Sequence, residues 1–496
     1  MLTEVETAKI AIPLGLVLIG NILQLRSGIC STVLRVLGFF SLGLNIGKID
    51  LFSDMLIISS IIIGTVIAMY TPHYSHLKYG NLGLVMPVDI FLLSMTLVFA
   101  SEYLIELITF WLLTELLGFL LIAYDYIAKK EEQAMSAAVK YLVFSMIPTD
   151  VALFILLAIT GFAEAFNTPL RSIAPRLADP VVLTMIILGF FSKAAIFPLH
   201  FWLPDAHSVA PSPASALLSG LMVKMGVFAI YLLSHYPINR DLAASITLFS
   251  GFLTTIYGAL QASTQCDVKR LLAYSTTSNT ALIAVLMALY LVSSDRVFIE
   301  AAMLYTAAHA VYKASMFMDS GFIELLTGER DVRRLGYIGQ ISPLESMAAL
   351  LSVLAILGIP PSMGFLAKVF TFASISRYIT ISWIYLAALI VASIKVSLSI
   401  IYNIVYLRSH FSVRGTVQAS NINRGALILQ PYTFIASLLS LILVLALYIL
   451  DCSGYIELEL FKKLTSFLAS SLILFAFLGL SLYKFFKSIA IEGWRQ

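Results

Sequence analysis

The chain has 496 residues, of which 60% are hydrophobic and only 12% are charged. A soluble globular protein cannot bury that much apolar side-chain surface. The net charge of +3 is too small to suggest a nucleic-acid partner. The three cysteines, Cys30, Cys266 and Cys452, stand apart in the sequence, so neither a disulfide framework nor a cysteine-ligated metal cluster is indicated. The composition predicts a membrane protein.

Apolar runs long enough to cross about 30 Å of hydrocarbon recur along the whole chain. They predict an all-α, polytopic membrane protein with about 14 or 15 transmembrane helices, placed in the cell (plasma) membrane. The predicted spans are residues 9–25, 29–47, 51–72, 84–101, 104–124, 138–160, 181–200, 212–234, 242–262, 273–293, 299–322, 343–374, 382–407, 431–450 and 466–486. Basic loop residues such as Lys269, Arg270 and Arg333 follow odd-numbered spans, which places those loops in the cytoplasm.

Two of the predicted spans are interrupted by proline. The seventh ends at Pro198 and Pro204, and the twelfth contains Pro360 and Pro361 in GIPPSMGF. Proline leaves backbone groups unpaired that lipid cannot satisfy, so both breaks must be buried against protein or water.

The two breaks are five spans apart, and because five is odd, a duplicated five-helix unit would be inverted relative to the first copy. We therefore predict two inverted five-helix repeats that each contain a broken helix. The predicted organisation is helices 1 to 3 in residues 1–83, the first repeat in 84–236, the second repeat in 237–410 and C-terminal helices in 411–496.

Ionisable residues inside the spans carry most of the functional signal. Each costs at least about 2.5 to 3.5 kcal/mol at the centre of an isolated helix. They are Glu115, Lys193, Lys224, His309, Lys313, Lys368 and Lys395. A lysine near a span end can extend to the membrane surface, which fits Lys140 but not Lys193, Lys224 or Lys313, since these have long apolar stretches on both sides.

Buried lysine and glutamate side chains can exchange protons when their surroundings change. Burial disfavours the charged form of either group, whereas an opposite charge within about 4 to 6 Å favours it. A row of such groups, linked by hydroxyls and water, can pass protons as ion pairs form and break. His309 and Lys313 are four residues apart and can share one helix face. The pattern indicates a proton relay inside the membrane.

Three motifs resemble a known family. The run FSKAAIFPLHFWLPDAHSVAPSPASALLSGLMVKMGVF closely resembles the most characteristic segment of the antiporter-like subunits shared by respiratory complex I, Mrp-type sodium/proton antiporters and membrane-bound hydrogenases. HAVYKASMFMDSG is similar to the family's histidine-and-lysine helix, and GIPPSMGFLAKVF to its second broken helix. The resemblance covers roughly residues 85–410. It implies inverted five-helix repeats and docking beside similar subunits.

The resemblance also implies roles for individual residues. Glu115 matches the glutamate of the fifth helix and Lys193 the lysine of the first broken helix, and these two are expected to face each other. The other proton-translocation positions implied are Lys224, His309, Lys313 and Lys368. Lys395 matches no family position, so a solvated or helix-contacting lysine is expected there.

Asp205 and His207, in the motif LPDAH, suggest a metal site or a catalytic pair when taken alone. Their place beside the broken helix favours a structural role, in which they hydrogen-bond backbone groups freed by Pro198, Pro204 and Pro211. No phosphate loop or dinucleotide fingerprint is present. We therefore expect no metal, no redox cofactor and no reaction catalysed by this chain itself.

Two main functions fit these observations. The first is a subunit that translocates protons, alone or coupled to sodium, within a hydrogenase, a sulfur or quinone reductase, or a cation/proton antiporter. Its partners would be other membrane subunits, including similar ones, and the lipid bilayer. The second is an autonomous transporter in which Glu115, Lys224 and Lys368 bind a small anionic solute. A scaffold subunit with a non-conducting relay is a third, weaker alternative.

Overall fold

The computed structural model describes residues 4–24, 28–47, 49–173, 177, 179–412 and 422–452. These residues form 19 helices, and the only β-structure within them is three isolated bridges. The helices are α1 (Glu4–Leu23), α2 (Gly28–Asn45), α3 (Leu51–Tyr79), α4 (Val85–Phe99), α5 (Leu104–Ile122), α6 (Tyr124–Lys129), α7 (Glu132–Thr160), α8 (Phe162–Asn167), α9 (Pro180–Ala194), α10 (Trp202–Val209), α11 (Ser212–Leu233), α12 (Arg240–Thr264), α13 (Val268–Ser293), α14 (Val297–Thr327), α15 (Ile338–Ile341), α16 (Pro343–Leu357), α17 (Met363–Ser376), α18 (Trp383–Phe411) and α19 (Gln430–Cys452). The predicted all-α fold is confirmed.

Eight of these helices are long and apolar enough to cross a membrane: α2, α3, α5, α7, α11, α12, α13 and α18. Shorter apolar helical segments lie in α1, α4, α9, α16 and α17. Each predicted span up to residue 450 overlaps a helix of the structure, although the helix of span 181–200 ends at Ala194 and span 343–374 is divided between α16 and α17. The predicted span 466–486 lies outside the described residues. The chain is a polytopic membrane protein.

Both predicted helix breaks are present. The first separates α9 from α10 and begins at Ala195, whose φ of 54° is left-handed. The second separates α16 from α17 and begins at Gly358, whose φ of 73° suits a glycine that ends a helix. Pro198, Pro360 and Pro361 lie inside these breaks.

Pro204 does not make the first break, contrary to the prediction. It lies in the first turn of α10, where a backbone N–H would have no acceptor within its own helix. Its missing donor therefore costs the helix little, and the interruption is confined to residues 195–201.

Two stretches of the chain follow the same order of main helices. The first contains α4, α5, α7, the broken pair α9 and α10, and α11, whereas the second contains α12, α13, α14, the broken pair α16 and α17, and α18. The fourth helix is thus the broken one in each stretch. The division into inverted repeats at residues 84–236 and 237–410 stays a prediction.

The interior of the molecule lies where the two stretches meet. The most apolar 18-residue segment of α11 is completely buried, and that of α13 is 89% buried. The corresponding segment of α18 is only 33% buried. Helices α11 and α13 are therefore surrounded by protein, so polar side chains on them face other helices and not lipid.

Candidate functional site

A buried ion pair stands beside the first helix break. Lys193 Nζ, in the last turn of α9, lies 2.7 Å from Glu115 Oε1 on α5, and both side chains are fully buried. The same carboxylate oxygen accepts a hydrogen bond from Trp111 Nε1 at 3.1 Å, and Lys193 donates to the Tyr141 hydroxyl at 3.2 Å. The contact that the resemblance implied between Glu115 and Lys193 is confirmed.

Asp150 belongs to this site, although no sequence motif marks it. Its carboxyl group, on α7, lies beside that of Glu115. Asp150 Oδ1 and Glu115 Oε2 have no hydrogen-bond partner among the described residues. Two neighbouring carboxyl groups can form a hydrogen bond only when one of them carries a proton. The sequence offers one indication of this role, because Asp150 is an acidic residue inside the predicted span 138–160.

Lys224 and His309 form a second contact, between α11 and α14. Lys224 Nζ is hydrogen-bonded to His309 Nδ1 and donates to the Ser219 carbonyl at 2.5 Å. Ser219 lies in a π-helical turn, Leu218–Met222, which disturbs the regular backbone hydrogen bonding of α11. Since a hydrogen bond between two nitrogens needs one donor and one acceptor, Lys224 and His309 cannot both be fully protonated at this contact.

Two further lysines bond to neutral acceptors. Lys313 Nζ, on α14, bonds to the Ser275 hydroxyl and to the Leu272 carbonyl at 3.0 Å. Lys368 Nζ donates at 2.9 Å to the carbonyl of Leu357, the last residue of α16. This carbonyl lacks an intrahelical donor because α16 stops there. The second break thus presents an acceptor to the lysine of the next helix.

Lys395 is fully buried and is not solvated, which corrects one of the two alternatives expected for it. Its Nζ donates to Asn279 Oδ1 and to the Tyr305 hydroxyl, each at 2.6 Å. It therefore joins α18 to α13 and α14 as a helix-contacting lysine.

The position of Lys395 within its helix is informative, although none of the sequence motifs includes this residue. Lys395 is the thirteenth residue of α18, and Lys224 is the thirteenth residue of α11. Likewise Asn279 is the twelfth residue of α13, and Glu115 is the twelfth residue of α5. Equivalent helices of the two stretches thus carry polar residues at equivalent positions.

These lysines differ from Lys193 in their counter-charges. Within the described part of the chain, Lys193 has a carboxylate partner, whereas the ion pairs found there include none from Lys224, Lys313, Lys368 or Lys395. Lys224 is hydrogen-bonded to His309, and the helix of His309 also carries Lys313. Because buried like charges repel, the protonation states of these groups depend on one another.

Among the described residues, the side chains of Asp205 and His207 make no hydrogen bond to the backbone of the first break, so the hydrogen bonds predicted for them are wrong. Asp205 forms ion pairs with Lys140 at 2.6 Å and with Arg270 at 2.8 Å. Both ring nitrogens of His207 lack a hydrogen-bond partner among the described residues, and the ring stacks on Phe317 with centroids 4.4 Å apart. Asp205 pairs with Lys140 and Arg270 because a partly exposed carboxylate binds charged donors more strongly than neutral ones.

Side chains from neighbouring helices satisfy the broken backbone instead. The Phe197 N–H donates to the Thr254 hydroxyl of α12 at 2.9 Å. The indole N–H of Trp202 donates to the Ser192 carbonyl at 2.8 Å, from the start of α10 back to the end of α9. The break is therefore held by protein contacts, as a membrane interior requires.

A network of charges lies at one end of the two stretches. Lys269, assigned to a loop from the sequence, is buried in the first turn of α13, and its Nζ lies 2.8 Å from Glu324 Oε2 on α14. Glu324 also pairs with Lys78 of α3 at 3.7 Å, and Lys78 pairs with Asp125 at 2.9 Å. Lys269 donates in addition to the Ala210 carbonyl that follows α10.

In the described residues, no group of three His, Cys, Asp or Glu side chains is arranged to hold a metal ion.

Comparisons with known proteins point to one family. The family model described as NADH:quinone oxidoreductase/Mrp antiporter, transmembrane, matches residues 101–398, which is more than half of the chain. A Na⁺/H⁺ antiporter subunit of Alkalihalophilus pseudofirmus is 34% identical over 335 residues, covering 64% of this chain and 41% of that protein. A Na⁺/H⁺ antiporter subunit of Bacillus subtilis is 32% identical over 332 residues, covering 63% and 40%. The chain spans less than half the length of these relatives.

Two solved structures share the fold. A chain of the Mrp complex from a Dietzia species superposes with a TM-score of 0.73 at 23% identity, over 90% of this chain and 50% of that one. A chain of an archaeal membrane-bound sulfane sulfur reductase superposes with a TM-score of 0.66 at 20% identity, over 87% and 94%. With the ion pair at the first break and the lysines that follow it, the chain belongs to the NADH:quinone oxidoreductase/Mrp antiporter transmembrane family.

Proposed function

We propose that this chain translocates protons across the cell membrane as the antiporter-like subunit of a multisubunit complex. The observation that carries the proposal is the series of buried ionisable side chains that runs from one broken helix to the other. Its buried members are Glu115, Lys193, Lys224, His309, Lys313, Lys395 and Lys368, and the partly buried Asp150 lies beside Glu115. Placing so many ionisable groups in a membrane interior is costly, and proton transfer is a function that requires them.

The first step takes place at Lys193. The carboxylate of Glu115, 2.7 Å away, stabilises the ammonium form of Lys193. Neutralising or withdrawing that carboxylate destabilises the ammonium, so the proton leaves Lys193 Nζ. Asp150 is in contact with Glu115 and can take or return the proton that neutralises it.

The next steps pass through α11 and α14. No hydrogen bond joins Lys193 to Lys224 within the described residues, so the transfer between them needs water or a side-chain movement. Lys224 and His309 are already hydrogen-bonded, and a proton can move directly from Nζ to Nδ1. His309 Nε2 is buried without a partner in the described residues, and Lys313 follows one turn further along the same helix. Lys395 and Lys368 continue the series to the second break.

An antiporter is the parent complex that we favour. The relatives of 34% and 32% identity are both Na⁺/H⁺ antiporter subunits, so sodium is the candidate exchange ion. Other membrane subunits of the complex, including similar ones, are the proposed partners. The alternative of an autonomous anion transporter is less well supported, because Lys224 and Lys368 are already hydrogen-bonded to His309 and to the Leu357 carbonyl.

The test is proton transport by the intact complex in membrane vesicles. Lys224→Ala and Lys368→Ala should each lower the proton flux by about tenfold or more, because proton-transferring side chains contribute at least that much. Lys129→Ala, at an exposed lysine near the end of α6, is the matched control and should keep the normal flux.

Complex assembly must be checked for each variant by native gel electrophoresis. Full proton flux in both assembled variants would overturn the relay assignment. The isolated chain in proteoliposomes should transport little, and solute exchange by the chain without partners would favour the autonomous transporter.

A further inference from the structure

A second pair of buried carboxyl groups lies away from the relay. Asp319 of α14 and Glu345 of α16 are 1% and 0% exposed, and their carboxyl groups are neighbours. Asp319 Oδ2 accepts a hydrogen bond from the Tyr406 hydroxyl and lies 3.1 Å from His410 Nε2, both on α18. Glu345 Oε2 accepts from the Thr433 hydroxyl of α19 at 2.6 Å. Four helices therefore meet at this pair.

The two remaining carboxyl oxygens have no hydrogen-bond partner among the described residues. Asp319 Oδ1 and Glu345 Oε1 are buried and make no hydrogen bond there. A single proton on one of the two neighbouring carboxyl groups would provide a donor that the other can accept. Without it, two negative charges would lie side by side in a low-dielectric interior, which is strongly unfavourable.

Few charged groups surround the pair to compensate for a second negative charge. Tyr70 faces it from α3, and Tyr406 and His410 face it from α18. His410 is the cationic partner of Asp319 when it is protonated. In the part of the chain that the structure describes, neither Asp319 nor Glu345 has an ion pair with a lysine or arginine.

A bound metal cation fits the geometry less well than a proton. Hard cations take six or more oxygen ligands at their coordination distance, whereas only one oxygen of each carboxyl group of this pair is left without a hydrogen-bond partner among the described residues. The described residues contain no cluster of three His, Cys, Asp or Glu side chains suited to a metal. The ligand class that fits is therefore a proton.

We propose that Asp319 and Glu345 form a further proton-binding site in which the two carboxyl groups share one exchangeable proton. His410 balances the remaining negative charge when it is protonated, and the Tyr406 and Thr433 hydroxyls hold the outer oxygens in place.

Hydroxyl groups lead from this site toward the second helix break. Ser315 lies one turn before Asp319 on α14, and its hydroxyl accepts from Ser352 of α16 at 2.9 Å. Ser352 lies in the same helix as Leu357, whose carbonyl accepts from Lys368. This connection to the relay rests on the proposed function, whereas the shared proton itself does not.

Infrared spectroscopy of the complex in membranes tests the shared proton directly. A protonated carboxyl group shows a carbonyl stretching band that a carboxylate lacks, and the band shifts when the proton exchanges for deuterium. Asp319→Asn and Glu345→Gln each replace the acid with an amide that donates the same hydrogen bond, so the packing should be kept. We expect each variant to lose one deuterium-sensitive carboxylic acid band of the wild type.

Glu300→Gln, at a half-buried position near the start of α14, is the matched control and should keep the band. Lys224→Ala should also keep it, so that failure of the relay and failure of this site can be distinguished. A wild type without the band, or both amide variants with an unchanged band, would overturn the proposal. Loss of the wild-type band on adding sodium at constant pH would do so too, since the site would then hold a cation.

Discussion

Lys193 and the other buried lysines differ in the side chains to which they are bonded. Lys193 is paired with Glu115 at 2.7 Å, whereas Lys224 and Lys395 bond to a histidine and to an asparagine. A carboxylate changes the charge balance of its partner when it takes up a proton, but an amide cannot. The state of Glu115 therefore controls whether Lys193 keeps its proton, and this makes the first break the point at which transport can be gated.

A double-mutant cycle tests whether Glu115 and Lys193 act as one unit. Glu115→Gln should lower proton translocation by about tenfold or more, because Lys193 loses its counter-charge. Adding Lys193→Ala should cost little more, since members of one functional unit are strongly non-additive. The measurement is proton flux in vesicles with equal amounts of assembled complex.

Glu115→Asp is the control for this cycle, and it should keep part of the flux because the charge remains although the side chain is shorter. Independent action would be evident if the losses of the two single variants simply multiplied in the double variant.

Close packing between α9 and α11 brings the first break next to Lys224. A Cβ atom at Gly226 would lie 2.5 Å from the Ala194 backbone nitrogen and 2.6 Å from the Phe190 carbonyl oxygen. These are atoms of the last turns of α9, which also carry Lys193. The missing side chain of Gly226 thus sets the distance between the two helices.

Gly226→Ala should push α9 and α11 apart. Overpacking of this kind costs about 1 to 3 kcal/mol, so we expect a lower melting temperature in detergent and a reduced proton flux. Gly15→Ala in α1 is the matched control, because no atom lies within 4 Å of the added Cβ. Equal melting temperatures for the two variants would show that close approach at Gly226 is not needed.

Helices and breaks could be predicted from the sequence because the membrane imposes them. Apolar length predicts a span, and the prolines at 198, 360 and 361 predict an interruption, without knowledge of any neighbour. Asp150, Lys269 and Asp205 were missed or misassigned because their roles depend on partners that are distant in the chain. Asp205, for example, pairs with Lys140 and Arg270, each 65 residues away in the chain. Such pairings follow from which helices meet, and a single sequence does not contain that information.

Charged pairs at one end of the protein connect its successive parts. Glu324 joins Lys78 of α3 and Lys269 of α13, while Asp205 joins Lys140 of α7 to Arg270 of α13. The N-terminal helices, the first five-helix stretch and the second are thus linked by ion pairs next to the chain that leaves the first break.

Removing the Glu324 carboxylate should weaken this connection. Lys269 is 1% exposed and Glu324 22% exposed, and breaking such a pair leaves a buried charge uncompensated, at a cost of about 3 to 5 kcal/mol for a fully buried pair. Glu324→Gln should therefore lower the melting temperature of the complex, less than a fully buried pair would, because Lys269 keeps its bond to the Ala210 carbonyl. Lys269→Met in the same chain should recover most of the loss, since it removes the unpaired charge and retains an apolar side chain of similar length.

Glu300→Gln, on the same helix as Glu324, is the control and should leave the melting temperature unchanged. A double variant as unstable as Glu324→Gln alone would show that the stability comes from a contact of Glu324 other than its pair with Lys269.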